Sequence, residues 1–152
     1  MTTIPELQDA INTFWVLIGG ICCFLLQAGF GLLEVGSVRA KNAKNIMLKN
    51  LLDACVCAIA YWALGFGLAF GDGGNGFAGF NHFFMVDFDK LGPSRYVIWF
   101  FQYTFAGTTA TIVSGAVAER CRFRAYLIYS SVLSALIYPI ASHWVWAEDG
   151  PY

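Results

Sequence analysis

The sequence predicts an all-α, polytopic membrane protein with four transmembrane helices. Composition is the first reason: 58% of the 152 residues are hydrophobic and 12% are charged, with a mean hydropathy of +0.59. Soluble domains carry about a quarter charged residues. Length is the second, because four apolar runs each reach the roughly 20 residues needed to cross a hydrocarbon core. The third is the loops, whose basic residues alternate from side to side. The net charge of −1 and the lack of a dense run of Lys and Arg give no footing for nucleic acid.

The first helix is predicted over residues 13–34, since Thr13 to Leu33 carries no charge. It does not read as a secretory signal. Glu6 and Asp9 stand where a basic n-region would be, and the apolar run is longer than an h-region. The second helix is predicted over 46–71, with Lys49 and Asp53 in its first turns. The third covers 96–119 and is uncharged to Ala118. The fourth covers 125–146 and holds Pro139 and His143. Gly, Ala, Ser and Thr recur at short intervals in 30–36, 61–71 and 106–118. Small residues let membrane helices approach closely, so these four pack as part of a dense bundle.

The first loop carries Arg39, Lys41 and Lys44, and the third carries Arg120, Arg122 and Arg124. The second loop sets Asp72, Asp87 and Asp89 against Lys90 and Arg95, and the chain ends AEDGPY. The positive-inside rule puts the first and third loops in the cytoplasm and the N-terminus outside. The second loop is rich in Gly, Asn and Phe. It reads either as a cap folded back on the membrane surface or as an interfacial aromatic belt.

Five cysteines, Cys22, Cys23, Cys55, Cys57 and Cys121, form no zinc spacing and read as small buried residues. Glu34, Lys49 and Asp53 sit at or near membrane depth, where a charge costs a few kcal/mol. Lys49 and Asp53, four apart, are expected to neutralise each other and pin a helix end, with conduction or gating as the alternative.

Several stretches carry a resemblance. QAGFGLLEVGSVRAKNAKNIMLKNLLDAC resembles the first-helix exit and second-helix entry of the ammonium transporters of the Amt/Mep/Rh superfamily, nearest the plant and invertebrate Amt branch. FFQYTFAGTTATIVSGAVAER resembles that family's third helix, and YPIASHWVW followed by DG resembles the end of its fourth. The resemblance implies a homotrimer of eleven-helix subunits in the plasma membrane. Each subunit would move ammonium or ammonia, with no cofactor and no enzymatic step. Ammonium would be collected by outer aromatic residues, pass a pair of stacked phenylalanines and cross a dry middle lined by two histidines. Phe101 and Phe105 match the gate pair. Phe105 and Trp146 match the outer ammonium site.

The chemistry suits that reading. Residues four apart share a helix face, and a cation over an aromatic face gains about 0.5–2 kcal/mol. Threonine hydroxyls at 104, 108, 109 and 111 can satisfy themselves on carbonyls of the preceding turn. Aromatics at this spacing also serve as lipid-facing or core residues, and Trp146 alone would read as an interfacial anchor. His143 reads as structural.

The family's subunits run to several hundred residues, and the pore histidines would lie past Tyr152. The chain is therefore expected to be the N-terminal part, 1–152, of an ammonium transporter domain, as a fragment or a truncated form. The alternative is a non-conducting partner or sensor subunit of a full-length transporter. A membrane serine protease built on Ser114 and His143 is a rival of another class. It fails on depth, because the two residues fall near opposite ends of their helices.

Overall fold

The computed structural model describes residues 3–73 and 76–147, which are helices and loops. Glu148, Asp149 and Gly150, read above as an outer end and part of a motif, lie outside the described residues. Helix α1, Ile4–Ser37, starts earlier than the apolar run predicts. The reason is local. Pro5 fits a first turn that needs no N–H, and the Thr3 backbone N–H donates to Glu6 Oε2 at 2.9 Å. At about 1.5 Å per residue this rod is longer than a hydrocarbon core is thick.

The second rod is not uniform. Helix α2, Ala43–Ala60, passes through a π-helical turn, Tyr61–Gly65, into α3, Phe66–Phe70. The last rod repeats the device: α6, Phe123–Val132, a π-helical turn over Leu133–Ile137, then α7, Tyr138–Trp146. Pro139, in the first turn of α7, lacks an N–H and crowds the carbonyl four residues back, which widens the turn before it. The two wide turns pack on each other. A Cβ on Gly65 would lie 2.8 Å from the Ser134 carbonyl oxygen, so only glycine lets the backbones come this close.

Helix α4, Phe88–Leu91, is one turn in the second loop, and α5, Ser94–Val117, is the third rod. Among the described residues three rods, Ile4–Ser37, Ala40–Phe70 and Phe123–Trp146, are by length and composition apolar enough to cross a membrane. The remaining predicted span is α5. It has the length, but its hydroxyls, Gln102 and Tyr103 lower its hydropathy. It is the inner member of the bundle, packed chiefly on α1 and then on α2. Gly19 and Gly20 make room for that contact: a Cβ on Gly20 would meet the Phe100 ring at 2.9 Å.

The second loop folds back over the helix ends. Phe88 is buried with its ring 5.1 Å from Phe66 and 5.4 Å from Tyr96. His82 bonds Asp72 at 3.0 Å and Val86 O at 3.3 Å. Phe77, Phe80 and Phe84 stay exposed. Lys90 holds the Asp87 carboxyl below the usual range, and its own ammonium is raised in turn. The loop thus packs on the helices through Phe88 and leaves its other phenylalanines outward.

Candidate functional site

At one end of the bundle α5 carries the predicted aromatic pair. The rings of Phe101 and Phe105 lie 5.0 Å apart at 72°, edge to face rather than stacked. Phe101 leans on α1, where a Cβ at Gly19 would come within 3.2 Å of its ring. Phe105 is 37% exposed, so this face of α5 is open. The threonines behave as expected: Thr104 donates to Phe101 O at 2.6 Å, Thr108 to Thr104 O at 2.8 Å and Thr109 to Phe105 O at 2.9 Å. Their protons are directed along the helix.

Trp146 ends α7 and is 69% exposed. It borders a cleft of about 660 Å³ with Phe70, Asp72, Arg95 and Ile98. No ring contact joins it to Phe101 or Phe105 among the described residues. The neighbouring Trp144 anchors the second loop, donating from Nε1 to Phe77 O at 2.8 Å. His143 is fully buried, and its Nδ1 lies 2.9 Å from Ala69 O, tying α7 to α3. Ser114 bonds Glu34 instead, at 3.0 Å, so the protease dyad is not assembled.

At the other end the three intramembrane charges are arranged in a way the sequence does not foretell. The expected Lys49–Asp53 pair does not form. Lys49 Nζ donates to Cys121 O at 3.1 Å and lies 5.5 Å from the Tyr126 ring centre. Asp53, with no exposure, accepts from Thr111 on α5 at 3.0 Å, from Ser130 on α6 and from the Cys57 thiol at 3.7 Å. Glu34 on α1 accepts from Asn50 on α2 at 2.9 Å and from Ser114 on α5. Two buried carboxylates thus tie four helices together through neutral donors. In the sequence the trace of this is faint: Asn50, Asp53 and Cys57 share one face, as do Thr111 and Ser114. Cys57 is buried, but Cys22 and Cys55 are exposed, contrary to the reading of all five as buried residues.

The same end joins the two basic loops. Glu119 accepts from Arg39 Nη2 at 3.2 Å and from Asn42 Nδ2 at 2.9 Å. These bonds hold its carboxyl low, at about 2. The two loops that the charge pattern assigns to one side of a membrane therefore meet at one end of the bundle.

Comparison with known proteins agrees with this architecture. The Ammonium Transporter Family matches residues 14–151. Ammonium transporter Amt2 of Archaeoglobus fulgidus is 46% identical over 142 residues, 93% of this chain and 30% of that protein. Ammonium transporter 3 of Dictyostelium discoideum is 42% identical over 146 residues, 95% of this chain and 33% of that protein. A solved structure named Sensor Amt Protein superposes with a TM-score of 0.89 at 39% identity, over 94% of this chain and 36% of that one. The chain thus spans about a third of the length of these relatives.

Proposed function

The chain belongs to the ammonium transporter family, and on that premise we propose that it supplies the outer half-site of a path carrying ammonium across a membrane. The observation that carries this reading is the Phe101–Phe105 pair, two rings in contact on an open face of α5. An ammonium ion meeting that face gains a cation–π contact in place of lost water. Threonine and backbone oxygens nearby can accept its protons. Phe101 and Phe105 act as the gate, and Phe105 with Trp146 as the outer recruiting site. The protein works as a homotrimer in the plasma membrane with its N-terminus outside and the Arg39–Glu119 end in the cytoplasm. Facing aromatic and histidine residues would come from helices that this chain does not contain.

A second reading has its own support in the likeness to a protein named as a sensor. The chain would then be a non-conducting partner or sensor subunit. Ammonium uptake into proteoliposomes, by a full-length relative whose matching segment is replaced by this chain and by the intact relative with this chain added, separates the two. A half-site of a working path leaves the chimera's uptake above that of empty vesicles. A partner changes only the uptake or assembly of the full-length protein. No effect in either arm contradicts both.

A further inference from the structure

The second loop is pinned at two places and strained between them. At one, residues 79–81 lie so close to the end of α3 that a Cβ on Gly67 would come 2.7 Å from Asn81 O, and one on Gly71 would come 2.6 Å from it. At the other, Phe88 is buried against Phe66 and Tyr96. The arch between them, 82–87, holds four non-glycine residues in the left-handed region: His82, Phe84, Met85 and Asp87, with φ of 60°, 55°, 56° and 67°. Phe and Met seldom adopt that backbone, so other contacts must hold the arch. Its outward contact is Phe84, edge-on to Trp62 at 5.4 Å and itself exposed. Its inward contact is His82, 9% exposed, with its ring 6.2 Å from Phe88.

Both ring nitrogens of His82 face oxygens. Nε2 lies 3.0 Å from Asp72 Oδ2, and Nδ1 lies 3.3 Å from Val86 O. An ionised carboxylate and a carbonyl only accept. A neutral imidazole has one N–H and serves one of them, whereas an imidazolium serves both. Asp87 also feels this ring: Lys90, at 2.7 Å, holds its carboxyl down, and His82 lowers it further. On α4, Asp89 accepts from Tyr96 Oη at 2.7 Å. Arg95 of α5 borders the same cleft as Asp72. The wide turn Tyr61–Gly65 and α3, which pack on Phe83–Met85, carry no charged side chain and one titratable group, the Tyr61 phenol.

We propose that His82 is a pH-responsive latch on this arch. In acid it is an imidazolium that donates to Asp72 and Val86 O together and closes the arch. On losing its Nδ1 proton to water it keeps the Nε2–H that faces the carboxylate. A lone pair then faces Val86 O, and the strained arch opens. Asp72 and Trp146 border one cleft, so the latch ties the acidity on that side of the membrane to the loop beside the cleft. The inference goes beyond ammonium passage and does not depend on it.

The test uses the whole chain in bilayer nanodiscs and follows amide exchange at Met85 and Val86. Their N–H groups donate to His82 O and Phe83 O within the arch. With intrinsic exchange rates divided out, their protection should fall roughly tenfold between about pH 5.5 and pH 7.5, the range in which histidine changes charge. Gly79, bonded to Leu68 O outside the arch, should keep its protection. His82→Gln, neutral at every pH, should hold Met85 and Val86 at one low level throughout. Protection indifferent to pH in the unsubstituted chain, or a fall that persists in His82→Gln, overturns the latch. A fall shared by Gly79 also overturns it, by making the change a general loosening of the loop. Should His82→Gln fail to insert, isotope-labelled imidazole nitrogens in the unsubstituted chain decide. Two protonated nitrogens on His82 at the acid end, with the Nδ1 proton lost in step with protection, support the latch. An unchanging protonation state, or loss from Nε2 instead, refutes it.

Discussion

Asp53 offers a test whose sign is set by geometry. It has no exposure and no ion-pair partner among the described residues, and it is held by Thr111, Ser130 and, more distantly, Cys57. Thr111→Val removes one donor to the carboxylate and should cost about 1 kcal/mol, as should Ser130→Ala. Together they leave only a thiol at 3.7 Å. A buried carboxylate stripped of its partners costs about 3–5 kcal/mol, so the double variant should lose more than the sum of the two. Adding Asp53→Ala to the double variant removes the orphaned carboxylate and should recover a large part of the loss, less a cavity cost. Reversible unfolding in mixed micelles, followed by circular dichroism, measures all four proteins. Additive losses with no recovery from Asp53→Ala would refute the reasoning.

Three further outcomes follow from other contacts. Folded Glu119 sits at about 2 against an ordinary 4.5, so its contribution is present above about pH 4.5 and is lost as pH falls through about 2. Acid titration of amide exchange in residues 38–42 should show that loss, and Glu119→Gln should abolish it. Gly65→Ala drives a Cβ toward the Ser134 carbonyl and should cost about 1–3 kcal/mol, while Gly29→Ala, with nothing within 4 Å, should be neutral or slightly stabilising in the same unfolding assay. Lys49→Met removes the bonds to Ala118 O and Cys121 O, and it should speed proteolysis at Arg120 and Arg122 without loss of helical signal.

Much of this molecule is legible in one dimension. Apolar length marks the rods, and Arg39 and Arg120, far apart in sequence, announce by charge alone that their loops share a side. The pairing of Phe101 with Phe105 follows from spacing of four on a helix. What sequence does not reveal depends on neighbours from other rods. Lys49 and Asp53 look like a local pair, yet each finds better partners elsewhere: a loop carbonyl for the cation and hydroxyls from α5 and α6 for the carboxylate. The wide turns at Tyr61–Gly65 and Leu133–Ile137 escape an apolar-run reading for the same reason. Pro139 hints at one, but their contact through Gly65 exists only once the rods are packed. Exposure of Cys22 and Cys55 likewise depends on which faces this chain leaves uncovered.

The central claim is that α5 and the end of α7 present ammonium-recognising aromatics. The most direct measurement places this chain in the matching segment of a full-length relative and compares ammonium uptake, and its selectivity over other cations, for the parent, Phe105→Ala and Trp146→Leu. The account predicts that both substitutions lower uptake or relax selectivity, with the loss of cation–π contact worth about 0.5–2 kcal/mol, or roughly two- to thirtyfold. Uptake and selectivity unchanged in both variants would contradict it.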